Sequence, residues 1–202
     1  DLKIEQRDTV MHAFTVNGFL VENNNPGVVY HAIGVNGASV PSYLSCENFE
    51  RDLALIHPDL IVFAIGINDA FSDAFSDSAF IAQYDSLIVK IERVVPECAY
   101  FFVTNNDSFR SIKIAKSSYY QVNQNGLSVQ RDFYELAAKH HGGVWDMFAI
   151  MGGLNSMKQW EAMGLAKKDK IHFTYKGYRF LGDLFFKALI ESYNKTMVER
   201  QW

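Results

Sequence analysis

An aspartate and a histidine stand three residues apart in the segment KKDKIHFTYKG, residues 167–177. At this spacing the carboxylate of Asp169 can reach the Nδ1–H of His172 within one turn of the chain. Such a contact fixes the tautomer of the imidazole and leaves Nε2 free to take a proton from a hydroxyl group. The two residues are therefore a candidate general base and its orienting carboxylate, although a loop histidine beside a solvated aspartate also fits the pattern.

Two other residues are candidates for stabilising a developing negative charge. Gly37 lies in GVNGAS, residues 34–39, where the absence of a Cβ atom would let a backbone N–H approach a reacting oxygen closely. Asn68 lies in GIND, residues 66–69, and could offer its side-chain amide to the same point. Two such donors form an oxyanion hole; alternatively, Gly37 is a simple turn glycine and Asn68 caps a turn.

The elements that must position these residues alternate along the chain. Apolar runs predict buried strands over residues 27–37, 59–69, 98–106 and 143–148. Helical periodicity predicts helices over residues 45–58 (with Ser45 as the N-cap), 77–96, 121–142 and 174–195. Apolar rather than alternating strands indicate an α/β fold with a parallel sheet covered on both faces. In such sheets ligands bind beyond the carboxyl ends of the strands, so the tips at Gly37 and Asn68 should converge on one crevice.

The composition disfavours several classes of function. The 202 residues carry a net charge of -4 without a basic stripe, which argues against a nucleic-acid partner, and the apolar runs are too short for a transmembrane segment. His12, His31 and His57 lack His or Cys partners at ligand spacing, so we expect no metal and no cofactor. Residues 1–26 end in the polar cluster NNNPG and are interpreted as an N-terminal extension or the tail of a neighbouring domain, followed by the main domain over residues 27–202.

The ordered set of N-G-A-S, G-x-N-D and D-x-x-H-F-T-x-x-G-Y before a final helix resembles the SGNH hydrolases, also called GDSL-type esterases and lipases. The resemblance covers residues 27 to about 195. It implies a three-layer α/β/α sandwich around a five-stranded parallel sheet of the flavodoxin-like kind, and metal-free ester hydrolysis. It also implies that Gly37 and Asn68 line the oxyanion hole, and that Asp169 and His172 complete a Ser-His-Asp triad.

One departure from the family pattern concerns the nucleophile. The family carries it in a Gly-Asp-Ser block after the first strand, and this sequence contains no Gly-Asp-Ser. The first strand of the sheet is therefore expected to be missing together with the nucleophile. The chain does not begin with Met, so we expect a processed or truncated start, with the block upstream of Asp1 and another domain inserted between it and Gly27. Alternatively, the site is a relic that only binds, or an internal serine attacks; Ser108 in TNNDSF and Ser39 are the candidates.

Two functions follow as hypotheses. The first is an esterase that removes short acyl groups, acetyl above all, from carbohydrate, because the members with an interrupted first block resemble bacterial carbohydrate and peptidoglycan O-acetylesterases. This resemblance also implies an extracytoplasmic location, periplasmic or secreted. The second is a catalytically inactive module that binds a cell-surface glycan. In either case a partner chain or a missing N-terminal segment is expected to complete the sheet, since an open gap would leave backbone groups unpaired.

Overall fold

The computed structural model describes residues 25–114 and 117–199, together with residues 5, 7, 9, 10, 13, 15, 16, 18–21 and 23. The chain divides into two compact units, Asp1–Gly34 and Val35–Trp202. The described residues of the first unit form no helix or strand, and the side chains of Val28, Val29 and Tyr30 are exposed. The helices and strands of the protein therefore belong to the second unit, as far as the chain is described.

The second unit alternates helices with strands. Its helices are α1 (Val40–Leu44), α2 (Phe49–Ile56), α3 (Ile67–Ala70), α4 (Asp77–Glu92), α5 (Asn125–Lys139), α6 (Met147–Met151), α7 (Ser156–Ala162) and α8 (Tyr175–Glu199). Its strands are β1 (Leu60–Phe63), β2 (Ala99–Val103), β3 (Phe109–Ile114), β4 (Ser117–Val122) and β5 (Gly143–Trp145). None of the helices in the described part of the chain is long and apolar enough to span a bilayer.

The central sheet has three parallel strands in the order β1-β2-β5. Leu60 of β1 lies opposite Ala99 of β2, and Phe101 of β2 lies opposite Gly143 of β5. The strands β3 and β4 form a separate antiparallel hairpin beyond the carboxyl end of β2. All three parallel strands therefore end at one side of the sheet, as the apolar runs in the sequence predict.

One face of the sheet packs against α4 and α5. The ring of Phe63 stacks on that of Phe102 with centroids 5.2 Å apart, and the fully buried Tyr84 of α4 meets Phe63 edge to face. The hydroxyl of Tyr84 donates a hydrogen bond of 2.6 Å to the carbonyl oxygen of Ile65, immediately after β1. The core on this face thus fixes the point at which β1 ends and the candidate Asn68 follows.

The opposite face packs against α8. Phe185 of this helix lies 5.8 Å from the ring of Phe101 and 5.2 Å from that of Trp145. Gly177 lets α8 approach Leu165, because a Cβ atom at this position would lie 2.0 Å from the carbonyl oxygen of Leu165. Helices therefore cover both faces of a parallel sheet, which confirms the predicted α/β class.

Two predictions for the first part of the domain are wrong. Residues 27–37 form no strand, and among the described strands β1 pairs with β2 alone, so its other edge is not joined by this segment. The helix predicted over residues 45–58 is present as the shorter α2, but its predicted N-cap is wrong, because Ser45 lies at the end of α1, where its hydroxyl donates to the Pro41 carbonyl oxygen at 2.9 Å. Ser45 thus closes α1, and Asn48 precedes α2.

The helix predicted over residues 121–142 also differs. It begins at Asn125, and the preceding residues belong to the hairpin of β3 and β4, which the sequence analysis did not predict. Ser117, Ser118 and Gln121 make β4 polar, and its residues are largely exposed, so the strand lacks the apolar run that identified the sheet strands. The predicted helices over residues 77–96 and 174–195 are confirmed as α4 and α8.

Candidate active site

Asp169 and His172 form the contact that their spacing predicts. The Nδ1 atom of His172 lies 3.1 Å from Oδ2 of Asp169, and the other carboxylate oxygen accepts the backbone N–H groups of Ile171 at 2.9 Å and His172 at 3.0 Å. Partial burial opposes ionisation of Asp169, but these hydrogen bonds outweigh it and hold the pKa of the carboxyl below its ordinary value. Asp169 is therefore a fixed anion that accepts Nδ1–H and directs Nε2 of His172 outward.

The strand β2 and the hairpin position the loop that carries this pair. The side-chain amide of Asn106, just beyond β2, donates to the carbonyl oxygen of Ile171 at 3.0 Å. The backbone N–H of Phe109, at the start of β3, donates to the carbonyl oxygen of Lys170 at 3.1 Å. The Asp-His pair is thus attached to the carboxyl end of the parallel sheet, although no part of the sheet lies next to it in sequence.

The loop that carries Gly37 is joined directly to the short helix α3, which carries Asn68. The side-chain amide of Asn68 donates a hydrogen bond of 2.7 Å to the carbonyl oxygen of Ala38, next to Gly37. Gly37 has φ of 78°, in the left-handed region, and a Cβ atom there would meet no neighbour within 4 Å. Glycine is therefore required by the backbone conformation rather than by crowding. One N–H of the Asn68 amide holds the Gly37 loop, and within the described structure its second N–H has no partner.

Asp69 reinforces this junction. Both of its carboxylate oxygens accept the backbone N–H of Val40, at 3.2 and 3.3 Å. Burial raises the pKa of Asp69, and the bond from Val40 only partly offsets that effect. Asp69 is not among the candidate residues named from the sequence, and the signal that could have identified it is its place directly after Asn68 in G-x-N-D.

A shallow depression lies beside Asn68. It is lined by Ser39, Pro41, Ser72, Phe75 and Gln83, among others, and so combines small hydroxyl groups with an aromatic ring. Arg110 of the hairpin holds the backbone next to this depression, since its guanidinium donates to the carbonyl oxygens of Ala70 at 2.9 Å and Ser72 at 3.1 Å. The depression can accommodate a small polar group next to Asn68, one of the two candidate oxyanion donors.

The hairpin of β3 and β4 contacts both parts of the candidate site. Its first residue, Phe109, bonds the loop of the Asp-His pair, and Asn123 at its end donates to the carbonyl oxygen of Ala70 at 3.0 Å, two residues after Asn68. Within the described residues, no hydrogen bond joins His172 to Gly37 or Asn68. The two parts thus lie at the same end of the sheet, and the hairpin contacts both of them.

The internal serine candidates occupy structural positions. Ser108 is 2% exposed, its carbonyl oxygen accepts the N–H of Asn123 at 2.8 Å, and its hydroxyl lies 3.5 Å from the Asn123 amide. Ser39 precedes α1, and its hydroxyl lies 3.3 Å from that of Ser42. Neither hydroxyl is hydrogen-bonded to His172. A serine activated by His172 is therefore not found at either position in this structure.

Comparisons with known proteins show the family. The sequence profile of the GDSL-like lipase/acylhydrolase family matches residues 13–180. A peptidoglycan O-acetylesterase of known structure is similar to this chain with 25% sequence identity and a TM-score of 0.71, and the match covers 81% of this chain and 46% of that protein. This chain thus spans less than half the length of that esterase. No match was found among curated protein sequences.

Two further solved structures share the fold. An acetyl xylan esterase has 18% identity and a TM-score of 0.57, over 77% of this chain and 78% of that protein. A GDSL-like lipase from Bacteroides thetaiotaomicron has 14% identity and a TM-score of 0.53, over 77% and 73%. The fold, the order of the motifs and the profile match agree, and this chain belongs to the GDSL-like lipase/acylhydrolase family.

Proposed function

We propose that this chain is the larger part of the catalytic domain of an ester hydrolase in which His172 is the general base and Asp169 orients it. The observation that carries the proposal is the bond from Nδ1 of His172 to Asp169, with Nε2 left without a partner in the described part of the chain and the side chain 52% exposed. A histidine held by one nitrogen and open at the other is the arrangement that general-base catalysis requires.

The reaction proceeds in two stages. A serine hydroxyl attacks the ester carbonyl while Nε2 of His172 takes its proton, and the negative charge moves to the carbonyl oxygen. The backbone N–H of Gly37 and the free amide N–H of Asn68 stabilise that oxygen. The C–O bond to the alcohol breaks as His172 returns the proton to the leaving oxygen. Water then attacks the acyl-serine with the same base, which releases the carboxylic acid and restores the serine.

The serine comes, in this proposal, from a strand outside this chain that pairs with the free edge of β1. Among the described strands β1 pairs with β2 only, and the apolar side chains of Leu60 and Val62 are 45% and 43% exposed. Val62 is paired with Phe101 and therefore faces the α8 side, where parallel sheets are normally covered. A parallel strand on this edge would end beside the segment that carries Asn68.

The apolar surface of α8 supports the same proposal. In its second half, side chains at helical spacing remain exposed on one side, namely Phe186, Leu189, Ile190, Tyr193 and Met197. An apolar stripe of this kind normally faces a protein core. On its face of the sheet, α8 covers β2 and β5 but leaves β1 exposed. We therefore expect the helix that follows the added strand to pack against both β1 and this apolar stripe of α8.

Acetylated carbohydrate is the proposed substrate. The similar protein with the highest TM-score reported above acts on peptidoglycan O-acetyl groups, and another is an acetyl xylan esterase. The depression beside Asn68 is shallow and lined by hydroxyl groups, which suits a short acyl group better than a long alkyl chain. An extracytoplasmic location, periplasmic or secreted, accompanies a peptidoglycan or polysaccharide substrate.

The test uses a fluorophosphonate that labels activated serines. We expect no labelling of the 202-residue chain, and labelling of a longer polypeptide from the same protein at a serine upstream of Asp1. In that polypeptide His172→Ala should reduce acetate release on the order of 10⁶-fold in kcat. His141→Ala, at an exposed histidine outside the site, is the matched control. Labelling of Ser108 or Ser39, or full activity of the His172 variant, would contradict the proposal.

A catalytically inactive glycan-binding module is the second candidate. It is favoured by one observation, that no described serine hydroxyl is hydrogen-bonded to His172. This function predicts saturable binding of an acetylated glycan without acetate release, even by the longest polypeptide that the gene encodes. Isothermal titration with an acetylated glycan, followed by assay of free acetate in the same sample, separates the two functions.

A further inference from the structure

Lys170 lies between the two residues of the candidate catalytic pair and has an unusual backbone conformation. Its φ is 57°, in the left-handed region that side chains other than glycine rarely adopt. Its backbone N–H donates to the carbonyl oxygen of Lys167 at 3.0 Å, so the chain reverses at this point. This reversal brings the N–H groups of Ile171 and His172 onto one carboxylate oxygen of Asp169. The turn at Lys170 thus determines where the carboxylate lies.

The side chain of Lys170 is held from two directions. Its Nζ atom lies 2.9 Å from Oε2 of Glu161 on α7 and 4.3 Å from the ring centroid of Tyr120 on β4. Only 16% of this side chain is exposed, although lysine is seldom buried unless it is paired. The Lys170 clamp, formed by Lys170, Glu161 and Tyr120, therefore joins the turn to a helix and to the hairpin.

We propose that the Lys170 clamp positions Asp169 for His172. A left-handed lysine is sterically unfavourable, so the turn persists only while other contacts hold it. The clamp supplies such contacts at the residue that bears the strain. Lys170 touches neither the reacting atoms nor His172 and is a positioning residue in this proposal. The inference rests on the proposed function, because it assigns a purpose to the exact placement of the Asp-His pair.

The first experiment needs no enzymatic activity. In the 202-residue chain, NMR titration of the Asp169 carboxyl and the Nδ1–H resonance of His172 report directly on their contact. Glu161→Gln separates a positioning role from a simple charge effect, because the two change the pKa of Asp169 in opposite directions. Removal of the Glu161 charge alone would lower that pKa, whereas loss of the hydrogen bonds that Asp169 accepts would raise it. We expect the pKa to rise and the Nδ1–H resonance to broaden or disappear. Lys168→Arg, which keeps the positive charge of the exposed neighbouring lysine, is the control that should leave both unchanged.

Further variants keep the test decisive. Tyr120→Leu should have the same effect as Glu161→Gln, while Lys170→Arg, which retains the charge and the contact with the ring, should preserve the wild-type signals. A folded Glu161→Gln or Tyr120→Leu variant with an unchanged Asp169 pKa and an unchanged His172 resonance overturns the inference, even if its melting temperature falls. A lower melting temperature alone is what a merely structural role predicts.

The activity readout distinguishes failure of this inference from failure of the proposed function. In the longer, nucleophile-bearing polypeptide, both variants should lose roughly 10- to 100-fold in kcat with little change in KM, because a misplaced catalytic group affects the transition state more than substrate binding. If that polypeptide does not hydrolyse esters, the proposed function fails while the NMR result still decides the role of the clamp. If it does and the variants retain wild-type kcat, the clamp has no positioning role.

Discussion

The buried carboxyl group of Asp132 on α5 leads to a prediction that can be tested with this chain alone. The side chain of Asp132 is 1% exposed, and its Oδ2 atom has no hydrogen-bond partner in the described structure. Burial raises the pKa of this group from 3.8 to about 6, with a further increase from the charge of Asp77 and an opposing contribution from Arg131. Replacing Asp132 by Asn keeps the shape of the side chain and removes its charge, so we expect a more stable protein at neutral pH.

The size and sign of this change in unfolding free energy follow from the linkage between protonation and folding. The folded-state pKa lies above the unfolded value, so the contribution of Asp132 to stability is most favourable at pH values below 3.8, where the group is protonated in both states. This contribution is lost as the pH rises from 3.8 to about 6 and is constant above that pH. A difference of about two pH units corresponds to roughly 3 kcal/mol at about 1.4 kcal/mol per unit. Asp132→Asn should therefore be more stable than wild type by up to about 3 kcal/mol at pH 8 and by little near pH 4.

Urea unfolding at a series of pH values measures this effect. The informative quantity is the difference in unfolding free energy between Asp132→Asn and wild type, because the other titrating groups cancel from it. Asp52→Asn, at an exposed carboxyl on α2, is the control that should show no such pH-dependent difference. A difference that stays constant from pH 4 to pH 8, or a variant less stable than wild type at pH 8, would refute the argument.

Three other predictions concern α8 and the site. Gly177→Ala should destabilise the chain by about 3 kcal/mol or more in urea unfolding, because its Cβ atom would lie 2.0 Å from the carbonyl oxygen of Leu165, whereas Gly182→Ala, with no atom within 4 Å of its Cβ, should not. In the longer esterase polypeptide, Asn68→Ala should reduce kcat by ~10²–10³ through loss of one oxyanion donor, and unchanged kcat would exclude that role. Asp169→Asn should reduce kcat by ~10⁴ without unfolding the chain, as judged by circular dichroism.

The parallel strands β1, β2 and β5 could be predicted because each is a short apolar run next to a helical pattern. The hairpin of β3 and β4 could not, since its stability depends on contacts distant in sequence. Arg110 donates to the carbonyl oxygen of Ala70 at the end of α3, and the Phe109 side chain is buried in a cluster that includes residues of α7 and α8. Polar, exposed residues such as Ser117 and Ser118 give no strand periodicity that a sequence pattern could reveal.

The candidate site also has contacts that could be predicted from the sequence and contacts that could not. The contact between Asp169 and His172 is local, so a spacing of three residues was enough to predict it. The placement of Asn68 beside the Gly37 loop depends on a hydrogen bond across thirty residues of sequence, from its amide to Ala38, and required the fold class as an intermediate step. The contacts of Lys170 with Glu161 and Tyr120 join three separate elements, and no pattern in KKDKIH indicates them.

The failed strand over residues 27–37 and the bare edge of β1 have one explanation in our proposal. In a flavodoxin-like sheet of order 2-1-3-4-5, the first strand of the chain lies between the second and the third. The observed order β1-β2-β5 runs in sequence order and corresponds to positions three, four and five. In the flavodoxin-like order the segment over residues 27–37 would be the second strand, at the edge of the sheet, and its only neighbour would be the first strand. The first strand is the one that would supply the nucleophile. When it is present, we therefore expect the edge of β1 to be paired and residues 27–37 to form a strand.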